Sequence, residues 1–337
     1  MARFVWLPLV SIAIALGLRS ISDGEPTPQA GAAPAKSESR FELRGQLEPA
    51  PGTAASVYLY GALTPYQANS LSDSKGRFRF PRLLAGSYTV SVFVPGYGEV
   101  RQTVEVSPSF ADSKGRVNAT IRFEPTAGET ARSLQEAGKV SVRELSIPEE
   151  ALREYARAAK KLERRDVAGA TEHLRRAVSI APQFVQAWNH LGTIHYQTAA
   201  YEEAERCFRE ALKHDPGAPS PTVNLGGTLL NLGRHDEALH YNRYAVATNP
   251  GDALAHSQLG MNYYFLGDLD RATEHLNKAK RLDPAHFSRP QLVLAEVYLL
   301  RADKPRAIAE LEDYLARHPD DPDSARIKEK IESLRGP

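Results

Sequence analysis

The chain has 337 residues, enough for two or three domains, and its 42 Lys and Arg against 41 Asp and Glu leave a net charge of +1. That balance argues against a nucleic-acid or anionic-membrane footprint. A single cysteine, Cys207, excludes an intrachain disulfide in any redox compartment and reads as a partly buried, inert thiol beside Phe208, with a disulfide-linked dimer through it as the alternative.

Met1-Ala2-Arg3 followed by the mostly apolar run Phe4 to Leu18 has the pattern of an export signal, being shorter than the roughly 20 residues a bilayer-spanning helix needs. Ser20 and Ser22 suit a cleavage site after Ser22, while Arg19 so close by leaves retention as a signal anchor open. The expected location is the periplasm, the cell envelope or the exterior, with membrane contact only through an uncleaved N-terminal segment. Residues 23–40 are rich in Pro, Ala, Gly and Ser and read as a disordered tether.

From Phe41 the pattern changes to period two: Phe41, Leu43 and Leu47; Val57 and Leu59; Phe78 and Phe80; Tyr88 to Val94 at alternate positions; Val104 and Val106; Val117 to Phe123. Short alternating runs separated by Gly, Pro and Asp predict an all-β antiparallel sandwich over 41–124. One pentapeptide marks two turns, Asp73-Ser74-Lys75-Gly76-Arg77 and Asp112-Ser113-Lys114-Gly115-Arg116, with glycine able to take positive φ and aspartate able to bond the backbone beyond it. The stretch from Asp73 through Gly76-Arg77-Phe78 and Gly86-Ser87-Tyr88-Thr89-Val90 to Gly96-Tyr97 resembles the carboxypeptidase regulatory-like, transthyretin-like domain. That resemblance implies a small non-catalytic sandwich on an exported or surface protein. No peptidase signature accompanies it.

Residues 125–147 read as a linker, with Val140, Val142 and Leu145 as a short extended segment. Ser146 and Glu149 form a candidate capping box with Pro148 in the first turn, so helices should begin near Ile147. Beyond it, Pro182, Pro216, Pro250 and Pro284 recur every 34 residues, with Pro319 one residue late. Ala170, Ala204, Ala238, Ala272 and Ala307 keep the interval, as do Gly192, Gly226 and Gly260. Such a period means stacked helical hairpins, with small residues where helices cross and proline ending each second helix. The repeats run 151–184, 185–218, 219–252, 253–286 and 288–321, within an array spanning 148–321. Gly233 and Gly267 suit a left-handed end to the first helix, and Asp166, Asp268 and Asp303 suit caps of the second. Residues 322–337, with Ile327, Ile331 and Leu334 on one stripe, predict a C-terminal capping helix.

Trp188, Leu191, Gly192, Ala204, Phe208, Ala211 and Pro216 resemble the tetratricopeptide repeat (TPR) family. The implied fold is an all-α solenoid of five helix-turn-helix repeats behind the sandwich. In that family the first helix of each hairpin lines a concave groove. Carried onto this chain, the groove candidates are Gln186, Asn189, Thr193, Tyr196 and Gln197, then Asn231, then Ser257, Met261, Tyr264 and Phe265. Amides beside aromatics suit an extended peptide or a helix. The basic residues of a carboxylate clamp are absent from these positions.

Catalytic constellations are missing. His190/His195 and His235/His240 are five apart rather than four, and there is no His-Glu-x-x-His, Gly-x-Ser-x-Gly, phosphate loop or Gly-x-Gly-x-x-Gly. The expectation is an exported non-enzymatic adaptor or scaffold that binds a protein or peptide, without cofactor or metal. One alternative is a glycan-binding sandwich using Tyr58, Tyr60, Tyr66 and Tyr97, with the repeats as spacer. Another is a regulatory subunit of an envelope enzyme.

Overall fold

The computed structural model describes residues 39–94, 98–123 and 146–336. The signal and most of the tether, Tyr97, and the linker segment around Val140, Val142 and Leu145 lie outside these residues.

The alternating residues fold into seven strands: β1 Phe41–Glu48, β2 Ser56–Gly61, β3 Gln67–Leu71, β4 Arg77–Leu83, β5 Gly86–Val94, β6 Gly98–Val106 and β7 Arg116–Arg122. They form two sheets, β4-β1-β7 and β3-β2-β5-β6. Leu43, Leu47, Val57, Leu59, Val90, Val92 and Ile121 are all buried between them. All pairings but one are antiparallel; β7 runs parallel to β1, a departure from the expected wholly antiparallel sandwich. Alternation reports which face a residue occupies and is silent on strand direction. β3 was not among the expected strands, because only Ala68 of Gln-Ala-Asn-Ser-Leu turns to the core.

The twin turns fold alike. Asp73 Oδ1 accepts from the amides of Lys75 and Arg77, and Asp112 Oδ1 from those of Lys114 and Arg116. Gly76 and Gly115 take φ of 81° and 71°.

The repeats form ten helices: α1 Glu149–Glu163, α2 Val167–Ile180, α3 Val185–Gln197, α4 Tyr201–His214, α5 Pro219–Asn231, α6 His235–Thr248, α7 Ala253–Phe265, α8 Leu269–Leu282, α9 Pro290–Leu300 and α10 Lys304–Arg317. An eleventh, α11 Ser324–Arg335, lays Ile327 and Ile331 on Leu292, Leu311 and Tyr314 and closes the last apolar surface. α1 starts with Pro148 at its N-cap and no side-chain cap bond, so the expected Ser146–Glu149 box does not form. The backbone carbonyl of Ser146 instead accepts from Gln183 Nε2. Asp166, Asp268 and Asp303 cap α2, α8 and α10 through the amides of Gly169, Arg271 and Arg306.

The hairpins close because the eighth residue of each repeat is small and the twenty-fourth fills the space it leaves. A Cβ on Gly192 would meet the Phe208 ring at 2.6 Å, and one on Gly260 would meet Leu276 Cγ at 2.7 Å and its backbone nitrogen at 3.0 Å. Between the helices of each hairpin one residue is left-handed: Arg165, Ala199, Gly233, Gly267 and Ala302, with φ between 57° and 80°. Glycine occupies only two of the five.

Gly260→Val should lose about 1–3 kcal/mol in urea unfolding, since backbone as well as a side chain must move. Gly267→Ala, where a Cβ would meet nothing within 4 Å, should lose only about 1 kcal/mol from the left-handed φ itself. A larger loss for the alanine than for the valine would contradict this ordering.

Candidate functional site

From the second repeat on, first helices pack on the second helix of the repeat before, and α3, α5, α7 and α9 touch in sequence. They form the inner layer of the solenoid. The sandwich is seated against that layer through its four-stranded sheet and the turns beside it.

At the first repeats, Tyr60 of β2 meets His190 edge-on at 6.4 Å, and His190 stacks on Tyr155 at 5.2 Å. Gln197 Nε2 donates to the carbonyls of Gly61 and Ala62 at 2.9 and 3.3 Å. The Arg165 guanidinium lies 4.6 Å over the Tyr66 ring and donates to the Tyr88 hydroxyl at 3.1 Å. At the later repeats, Asp283 Oδ2 accepts from the Thr103 amide at 2.9 Å, satisfying a backbone donor on the edge strand β6. Asp320 accepts from both the amide and the hydroxyl of Ser109, each at 2.8 Å. His318 Nδ1 lies 3.5 Å from Glu105 Oε2.

The ten groove candidates separate accordingly. Gln197 is engaged by the sandwich. Asn189 Oδ1 accepts from Asn224 in the next repeat at 2.9 Å, and Thr193 lies beside that bond. The Tyr196 hydroxyl accepts from Asn231 at 3.0 Å. Ser257 is buried and accepts from the Ser288 hydroxyl, and Met261 is buried in the core. Gln186 is exposed and Tyr264 half-buried, while Phe265 is 47% exposed and stacks on His235 at 4.7 Å. Leu266 and Leu300, the latter 61% exposed, extend that open apolar surface. Glu296 lies near Tyr264 and Lys330: its buried Oε2 has no hydrogen-bond partner, and burial, against the opposing Lys330 charge, raises its pKa. Burial first, and then the Glu296 charge, push the Tyr264 phenol up to about 12.

The junction residues Arg165, His190, Asp283 and Asp320 escaped the sequence reading. His190 and Arg165 sit beside the groove positions rather than on them, and Asp283 precedes a repeat-ending proline and reads as a turn residue. The paired phases of Tyr155 and His190 carry no periodic signal, because only these repeats present aromatic rings there.

Among the described residues no group of three or more His, Cys, Asp or Glu could hold a metal ion, and no helix is long and apolar enough to cross a membrane. Burial pushes the Cys207 thiol up to about 11, which suits an inert residue.

The architecture is thus of a recognisable class, a β-sandwich joined to a TPR-like helical solenoid. The family model described as the middle TPR-like domain of cilia and flagella-associated protein 70 matches residues 150–283, and the carboxypeptidase regulatory-like domain matches residues 45–131. Anaphase-promoting complex subunit 3 of Schizosaccharomyces pombe is 28% identical over 157 residues, covering 47% of this chain and 24% of that protein. The cell division cycle protein 16 homolog of Homo sapiens is 26% identical over 112 residues, covering 31% of this chain and 18% of that protein. The chain therefore spans less than a quarter of either relative. Among solved structures, a thermophilic TPR protein of Thermus thermophilus is 20% identical with a TM-score of 0.45, covering 55% of this chain and 98% of that one.

Burial pushes the His190 imidazole down to about 4 and that of His286 to about 3, with no neighbouring charge among the causes. An imidazole whose folded pKa lies below its unfolded value near 6.5 binds fewer protons in the folded state. Its contribution is complete above that unfolded value and is lost as pH falls toward 4. Asp283, raised by burial, acts in the opposite sense, so the diagnostic quantity is a difference. His190→Phe should flatten the fall in melting temperature between pH 6.5 and 4; an unchanged slope would show that His190 is not buried at the junction.

Separately, Arg165→Ala with Gln197→Ala should weaken seating of the sandwich by roughly 2 kcal/mol. Faster hydrogen exchange at the amides of β2, with α8 and α10 unaffected, is the expected readout.

Proposed function

We propose that this chain is an exported, non-enzymatic adaptor that captures a protein partner on the part of the inner layer its own sandwich leaves open. The observation that carries the reading is the exposure of Phe265, Leu266 and Leu300 at the C-terminal ends of α7 and α9, with Glu296, whose Oε2 is unpartnered, near Tyr264. Apolar side chains exposed together around a few aimed polar groups are what a peptide or helix with an apolar anchor requires. The Tyr264 ring, edge-on to Phe265, would flank that partner. Export is supported by the N-terminal pattern alone.

The second repeat takes a different part. Gln197 bonds the sandwich, while Asn189, Thr193 and Tyr196 bond Asn224 and Asn231 of the third repeat, so these side chains hold the molecule's shape and leave capture to the later repeats. The glycan reading gains no support, because Tyr58, Tyr60 and Tyr66 lie at the junction. Tyr58 and Tyr60 stack at 6.3 Å, and Tyr66 lies under Arg165.

Capture from envelope extracts by the full chain tests the proposal. Phe265→Ala with Leu300→Ala should reduce recovery of the partner by at least about tenfold, as expected for anchor residues each worth over about 1 kcal/mol. Gln186→Ala should leave recovery unaltered. Equal recovery with all three proteins would dismiss the open surface as the binding site.

A further inference from the structure

The overall charge of +1 conceals a segregation. Residues 40–123 hold ten Lys or Arg against six Asp or Glu. Most of the excess stands on one surface, the outer face of the sheet β4-β1-β7 and the turns at its ends. That face points away from the solenoid: the hydrogen bonds, ion pairs and ring contacts joining the domains come from the other sheet and its flanking turns.

The acids of this surface are already matched. Glu42 pairs with Arg44 at 2.8 Å and Glu48 with Arg122 at 3.2 Å. Asp73 holds Arg77 at 2.7 Å and Asp112 holds Arg116 at 2.6 Å, each aspartate belonging to one of the twin turns. Lys75, Arg79 and Lys114 are left without an acidic partner among the described residues, as is Arg82, which stands at the edge of the face near Tyr66. Because β4 opposes β1 while β7 runs parallel to it, the two turns place Lys75 and Lys114 at opposite ends of the sheet.

Two features add positive charge here at a cost to folding. Arg79 stands directly across from Arg44 in the β1–β4 register, and like charges opposite one another destabilise a sheet. Arg82 sits with φ of 59° where the β1–β4 register shifts, a left-handed site in a bulge that glycine ordinarily fills. Neither is needed to close the core, since both side chains are exposed.

We propose that this face docks onto the anionic headgroups of a lipid bilayer. Charge complementarity names an anionic partner, and the shape and chemistry of the face select among anions. The outward positions of β1, β4 and β7 carry no aromatic ring on which a sugar or a base would stack. A pleated three-stranded surface with cations at its centre and both ends meets a planar array of charges over its whole extent. The central strand β1 also begins only 22 residues after the apolar run Phe4 to Leu18. Twenty-two residues span at most about 75 Å even fully extended, so an N-terminal segment at a bilayer keeps this sheet within reach of the same surface.

The test is co-sedimentation of the full chain with phosphatidylcholine vesicles and with vesicles also containing phosphatidylglycerol. The readout is the increment due to phosphatidylglycerol, which removes any contribution of the apolar N-terminal run. That increment should disappear at high salt and fall at least about tenfold in K75E/R79E. The solenoid variant R243E/K328E, with the same change in net charge, should bind as the wild type does. If K75E/R79E does not fold, Arg79→Gln alone should still lower the increment several-fold. The proposal is overturned by a wild-type increment of zero, by equal losses in the two double variants, or by binding to dextran sulfate without binding to the anionic vesicles.

Discussion

The solenoid depends on how closely the two helices of each hairpin approach at one point. At the eighth residue of the five repeats stand Ala158, Gly192, Gly226, Gly260 and Ala295; facing them are Leu174, Phe208, Asn242, Leu276 and Leu311. Small against large at a fixed phase sets the separation within a hairpin, and that separation fixes the pitch at which the next hairpin stacks. The third repeat departs from the rule. Asn242 is fully buried there, and its amide donates to Asn262 Oδ1, while Asn262 Nδ2 donates to the His235 carbonyl. A buried amide chain replaces apolar packing between the third and fourth repeats. It binds less tightly than a leucine would but admits only one register, since a slipped pair would strand more polar atoms than the single unpartnered Asn242 Oδ1.

Seating of the sandwich solves two problems at once. The inner layer of a short solenoid offers aromatic and amide side chains to water, and a sandwich has edge strands whose backbone donors invite pairing. Here Tyr60 covers His190, and Asp283 caps an amide of the edge strand β6. Contacts reach from Arg165 in the first repeat to Asp320 in the last, so the sandwich braces repeats that otherwise touch only their neighbours.

Much of this was legible beforehand, for physical reasons that differ by element. Helix crossings announce themselves because steric demand recurs with the repeat, as at Gly192 and Gly260. Strands with one face in the core announce themselves through alternation; β3, with Ala68 alone turned inward, does not. Left-handed turns were legible only where glycine fills them. Arg165, Ala199 and Ala302 hold the same conformation because the hairpin on either side over-determines it, and no residue type marks the site. Of the groove candidates, Gln186 at the start of α3 and Tyr264 and Phe265 at the end of α7 remain at least partly open. Gln197 does not, because what lies opposite is a second domain whose position the periodicity of either domain cannot encode.

The two outer-facing surfaces are independent for a geometric reason. Successive side chains on a strand point to opposite faces, so each sheet of the sandwich has one face in the core and one outside, and the two outer faces look in opposite directions. One meets the solenoid and the other carries the unmatched cations. A partner held near Phe265 and Leu300 therefore does not compete with an anionic surface held at Arg79. Net charge cannot reveal such an arrangement. The acidic excess of the residues beyond the sandwich offsets most of its basic one, and the sum for the whole chain is close to zero even though the charge opposite any one partner is not.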